Sequence, residues 1–190
     1  MRIWTLLAAA GAAFVALSLN AVAAPTTVFG LPLGGKVKMP IPKCPARAAE
    51  TGVQSLCWES IPNTIMGGRS GWAQVPGEDQ MPRWAAHGFF EPRVKNDGTL
   101  ESLVVKTSSA DQFVEILNSI SGRFGQSQRE SRPGSAIMTA DWTRDDIHIK
   151  LLCSASIGCN TTFISGVAHA AHLRELAKRK ARDAARAATP

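Results

Sequence analysis

Cysteine and histidine are the residue types with most scope for chemistry in this 190-residue chain, and there are four of each. Cys44, Cys57, Cys153 and Cys159 all follow an N-terminal segment with the look of an export signal. An even count in an oxidising compartment predicts two disulfides, for which three pairings exist. Cys44 with Cys57 and Cys153 with Cys159 is favoured. The second pair flanks Ser154-Ala155-Ser156-Ile157-Gly158, a short loop between two strand-like runs whose ends are already close. Closing a loop of about 15 residues contributes roughly 3 kcal/mol in the entropic account. Zinc is the rival use of these thiols, but the spacings are not C-x-x-C and no histidine neighbours either pair.

Among His87, His148, His169 and His172, only the last two are close in sequence, at i and i+3 on one helix face, with no carboxylate between them. They would need a third ligand from elsewhere to hold a metal. His148 falls on the polar side of a strand, and His87 precedes Gly88 among aromatic residues. Gly67-Gly68-Arg69-Ser70-Gly71 lacks the Lys-Ser/Thr ending of a phosphate loop and the G-x-S-x-G frame of a nucleophile elbow. Glu78-Asp79 and Asp145-Asp146 are adjacent acids in turns, which point in different directions and make poor acid–base pairs. No cofactor motif is present, and no triad, metal set or carboxylate pair argues for an enzyme.

Charge is the one compositional signal. The formal net charge is +6, and the segment from Arg174 onward contributes +4 of it through Arg174, Lys178, Arg179, Lys180, Arg182 and Arg186 against Glu175 and Asp183. Without that segment and Arg2 the body is nearly neutral. A cationic helix attracts polyanions through lipid head groups, lipopolysaccharide or nucleic acid. Export ranks the envelope surface above nucleic acid, and large aromatic residues that would anchor the helix in lipid are absent.

The elements that would position these residues can be placed from the N-terminus. Arg2, an apolar run from Ile3 to Leu19, and Ala21-Val22-Ala23 predict a secretory signal peptide over residues 1–23, cleaved after Ala23, with an uncleaved anchor as the alternative. No later segment is long and apolar enough to span a membrane. Residues 24–166 are expected to form a single α+β domain, and residues 167–190 a basic helical tail. Pro25 to Lys36 alternates turn formers with Val28, Leu31 and Leu33, predicting an extended segment along the domain edge. Pro40, Pro42 and Pro45 stiffen the connection through Cys44. A short helix or turn over 46–50 and a strand ending at Cys57-Trp58 follow. Residues 61–81 are glycine-dense and predict a long loop with one hairpin at most, which makes Arg69 and Trp72 the best loop candidates for partner contact.

The best-defined stretch is Glu91 to Gly125. Asn96-Asp97-Gly98 predicts a hairpin turn, Leu100 to Thr107 a strand, and Phe113, Ile116, Leu117, Ile120 and Phe124 the apolar face of a helix capped by Ser108 or Ser109 and ended at Gly125. Residues 83–93 suit the strand before the turn, with an edge or bulge near Pro92. After a polar connection over 126–135, Ala136–Trp142, Ile147–Cys153 and Asn160–Gly166 alternate as three strands. The order β-β-α-β-β-β favours a mainly antiparallel sheet with the central amphipathic helix packed on one face.

Phe29-Gly30-Leu31-Pro32-Leu33-Gly34-Gly35, a cysteine soon after, and Asp97-Gly98-x-Leu100-Glu101 leading into a helix that ends Phe124-Gly125 resemble a group of small exported bacterial proteins of uncharacterised function. That resemblance implies a fold layout and no activity. The expectation is an exported, periplasmic or secreted binding protein of the bacterial envelope without catalysis. Its partner would be a protein or an envelope polyanion. The alternatives are an envelope hydrolase or the inhibitor of one, and an accessory protein of a secretion or conjugation system that meets polyanions through the tail.

Overall fold

The computed structural model describes residues 25–77, 81–131 and 135–187, so the expected signal peptide and the Glu78-Asp79 pair lie outside the described residues. The fold is α+β and its main sheet is antiparallel throughout. Its centre joins two local units. One is the hairpin of β7 (Phe89–Lys95) and β8 (Leu100–Thr107); the other is the meander of β10 (Ile137–Thr143), β11 (Ile147–Ser154) and β12 (Gly158–Ser165). Pairing of β8 with β12 fuses them, giving the order β7-β8-β12-β11-β10 across the five long strands.

Alternation then sorts side chains to two faces. Phe90, Val105, Thr161, Leu151 and Ala140 stand in register as one row of the core face, and Pro92, Leu103, Phe163, Ile149 and Trp142 as the next. All ten are buried. Each large apolar side chain so buried contributes about 1.5–3 kcal/mol. The helix α2 (Phe113–Phe124) covers this face with Phe113, Ile116 and Ile120. Ser109 caps its leading turn by accepting from the Asp111 amide at 3.2 Å. At the other end Gly125 takes φ +85°, and its carbonyl accepts the Trp142 indole N–H at 3.0 Å, fixing the helix end to β10.

The turn between β7 and β8 follows the expected chemistry. Gly98 has φ +84°, and Asp97 accepts from the Thr99 amide at 3.0 Å. Lys36 reaches Asp97 at 2.6 Å. That ammonium, followed by the Thr99 amide, holds the Asp97 carboxyl well below the usual carboxylate range.

Three expectations are refined. The segment from Pro25 is not extended throughout: β1 (Thr27–Val28) and β2 (Leu31–Pro32) form a tight hairpin across the core face, burying Val28, Leu31 and Leu33, and only from Gly34 to Val37 does the chain run beside the start of β8. Phe29 and Gly30, at φ +48° and +73°, are the two central residues of its turn. Left-handed backbone at a phenylalanine costs about 1 kcal/mol or more. The Phe29 ring offsets this through edge-to-face contacts with Trp84, Phe90 and Phe163 at 5.4–6.0 Å. Residues 83–93 are not one strand, since Arg83–Ala85 is a 3-10 turn and pairing starts at Phe89. The glycine-dense stretch holds the one hairpin expected of it, β4 (Asn63–Ile65) and β5 (Gly68–Ser70), but adds β6 (Ala73–Gln74) and extends the sheet beyond β7. Pro92 sits where the outer neighbour of β7 changes from β6 to β5, and the expected irregularity falls at Arg93/Val94.

Both expected disulfides are present. Cys153 and Cys159 are directly opposite in β11 and β12 and face the core. Cys44–Cys57 ties the proline-rich arm to β3 (Cys57–Trp58), reinforced by backbone bonds of 2.8 Å from Cys44 to the Trp58 carbonyl and from Trp58 to the Pro42 carbonyl. The arm includes a cis Met39–Pro40 bond and leads into the short helix α1 (Ala48–Thr51).

At the head of β12, Gly158 has φ +69°, and a Cβ built there would lie 2.0 Å from the Thr107 carbonyl oxygen. Gly158→Ala combines backbone strain with a clash at the β8–β12 seam and should destabilise the protein by at least about 2 kcal/mol. Urea unfolding checks this; a midpoint shift worth less than about 0.5 kcal/mol would contradict the close approach.

Candidate functional site

The sheet's second face is left open by α2 and the N-terminal hairpin. Its rows are Phe89, Lys106, Asn160, Leu152 and Thr139; then Glu91, Val104, Thr162, Lys150 and Asp141; then Arg93, Ser102, Ile164, His148 and Thr143. Val104, Thr162, Ile164 and Leu152 make a half-buried, largely apolar centre, and charges of both signs surround it.

Trp72, in the link between β5 and β6, lies against the β7 corner of this face. Its ring packs edge-to-face on Phe89 with centroids 5.3 Å apart, and Lys106 Nζ stands 4.8 Å from the Trp72 ring centroid. Trp72 is 37% exposed and Phe89 59%, a large apolar surface to leave in water. Lys106 is held by Glu91 at 2.7 Å, and Glu91 also accepts the Ser70 hydroxyl at 3.3 Å. The aromatic pair is thereby set by a sheet and a polar brace, with little rotamer freedom left to lose on binding.

Ser70 donates to Glu91 Oε1 at 3.3 Å and Lys106 to Glu91 Oε2 at 2.7 Å, so one carboxylate joins the two side chains. The brace is structural chemistry supporting two rings.

Alternation separates the two loop residues proposed from sequence. Ser70 and Trp72 face the open side; Arg69 pairs with Val94 and points to the other, where it lines shallow pockets with Ile41 and Trp58. Phe89 and Lys106 are site residues that sequence reasoning missed. Both sit on strands whose polar phase is legible, and an aromatic residue in that phase is the signal that could have found Phe89.

The tail begins at the opposite end of the open face. Helix α3 (Gly166–Ala187) follows β12 directly, with the Ala168 amide bonded to the Ser165 hydroxyl at 3.3 Å. From Ala170 to Ala187 every residue is exposed. Arg179 and Arg182 share Glu175 at 3.4 Å, while Lys178 and Lys180 make no ion pair among the described residues. The four cationic residues proposed for partner contact are therefore solvent-facing and lie away from Trp72.

His169 does not join His172 in a ligand set. Its ring stacks on His148, with centroids 3.9 Å apart and planes 11° from parallel. Parallel stacked imidazoles direct their in-plane lone pairs side by side, not toward one point, and no group of three metal-ligating side chains occurs among the described residues. His148 Nδ1 lies 3.0 Å from the Thr143 hydroxyl, and Asp141 is 4.0 Å from its Nε2. Burial, then His169, with a smaller share from Lys150, pushes the His148 imidazole below its ordinary value; Asp141 acts the other way. His87 is exposed and outside the site.

No family model matches the chain, and neither a curated protein nor a solved structure is detectably similar to it.

The depressed His148 value has a definite sign. Protonation is less favourable in the folded state, so the stability the pair contributes is present above the ordinary histidine value of about 6.5 and is lost as pH falls through the lower folded value. His169→Ala exposes His148 and removes the ring stacked on it, which should raise the His148 pKa. Titration of the imidazole carbon-bound protons by NMR checks this; an unchanged value would mean that the stack does not control His148.

Proposed function

We propose that this is an exported, non-catalytic binding protein that engages a protein partner of the cell envelope through the open sheet face, with Trp72 and Phe89 as anchors. The observation that carries the reading is the exposure of this aromatic pair on a regular, braced sheet surface. An apolar centre with a charged rim is the anatomy of a protein interface, and aromatic side chains dominate binding energy there. Two disulfides and the signal-like N-terminal pattern support export. No helix among the described residues is long and apolar enough to cross a membrane.

A second reading rests on a separate observation. Lys178 and Lys180, without an ion pair among the described residues and on the part of α3 exposed from Ala170 onward, favour attraction to an envelope polyanion. Such contact would be long-ranged and weakened by salt, whereas the aromatic anchors would tolerate it.

A pull-down from envelope extract at low and high salt separates the two. Combined Trp72→Ala and Phe89→Ala should reduce partner capture about tenfold or more, because an anchor aromatic typically costs 2 kcal/mol or more on truncation. Deleting residues 174–190 should leave high-salt capture intact. Capture that depends on the tail and survives the double substitution would contradict the aromatic reading.

A further inference from the structure

On the opposite side of the sheet from Trp72, a cleft of about 180 Å³ opens between the β1–β2 hairpin and the end of α2. Phe29, Trp84, Phe124 and Phe163 line it together with Ile120. Trp84 is 3% exposed, and its indole N–H has no hydrogen-bond partner among the described residues. That nitrogen is itself enclosed, so Trp84 gives the cleft a ring wall, and its indole signal reports what occupies the space beside it.

Arg123 spans the mouth. Its guanidinium donates to the Thr27 carbonyl and lies 5.1 Å from the Phe124 ring centroid. It makes no ion pair among the described residues, and none of the residues lining the cleft is acidic. Most of its five N–H donors are therefore free to meet an anion. Aromatic walls and an uncompensated cation at the lip define one ligand chemistry.

We infer that this cleft binds a small aromatic carboxylate, a single ring carrying its carboxylate on a short stem, with the ring in the space walled by Phe29, Trp84, Phe124 and Phe163 and the carboxylate on Arg123. The size agrees: an apolar cavity of about 150 Å³ accepts benzene, while drug-sized ligands occupy roughly 300 Å³ or more. A free acid and the C-terminal phenylalanine of a peptide share this chemistry. The small volume favours the free acid.

The test titrates the intact exported protein with phenylacetate, phenylacetamide and glycylphenylalanine, following the indole N–H resonances by NMR. Phenylacetate should shift the Trp84 indole signal and bind about fivefold more tightly than the amide, the scale expected for a partly exposed ion pair. In Arg123→Gln, which retains a donor for the Thr27 carbonyl, acid and amide should bind alike. The Trp142 indole, bonded to Gly125, should stay unmoved in that variant and so report an intact fold. No shift of Trp84 with phenylacetate, or equal binding of acid and amide to the wild type, would overturn the inference. Tighter binding of glycylphenylalanine than of phenylacetate would overturn the free acid in favour of a peptide terminus.

Discussion

Antiparallel pairing of β8 with β12 is the constraint on which the rest of the molecule depends. It brings Ser102–Thr107 against Cys159–Ile164, residues more than fifty positions apart, with Thr161 beside Val105 and Phe163 beside Leu103. Without it the β7–β8 hairpin and the three-stranded meander would each have one apolar face and nothing sufficient to bury it against. With it, α2 is obliged to cross the core side, since its connections run from the end of β8 to the far strand β10. The close approach of Gly158 to the Thr107 carbonyl shows how tightly the two units meet.

That seam also divides labour between the two faces. Everything in the chain with large apolar side chains at the right phase goes to one side: the helix, the N-terminal hairpin with its Phe29 plug, and the Cys153–Cys159 bridge. The other side receives the alternate residues, and among the described residues the root of α3 with the His148–His169 stack rests at one end and Trp72 at the other. Trp72 and Phe89 stand out against this rule because they pack on each other and still leave aromatic surface in water.

Much of the scaffold was legible in the chain because local signals agreed there. The Asp97-Gly98 turn, the apolar stripe from Phe113 to Phe124, and the alternation of Ile147, Ile149 and Leu151 each point to one structure. Both disulfides followed from short separations. What could not be read depended on partners distant in sequence. Phe29 and Gly30 look like a breaker in an extended arm until Trp84, Phe90 and Phe163 provide the pocket that rewards a left-handed turn. The glycines from Gly67 to Gly71 suggest a loop, yet Gly68 is needed because a side chain there would meet the Val94 carbonyl at 2.3 Å as β5 pairs with β7. His169 was assigned a neighbour one turn away, while its actual neighbour, His148, lies on another element. In the candidate site, Trp72 was visible as an aromatic residue in a polar stretch, but the brace of Glu91 and Lys106 exists only once two strands are aligned.

The most direct measurement is site-specific photocrosslinking in cells from two surfaces of the same sheet. A photoreactive residue at Val104, in the centre of the open face, should yield a discrete adduct with a partner protein, and one at Glu115, on the exposed side of α2, should not. Adducts from position 115 with none from 104 would contradict the assignment of the open face as the binding surface.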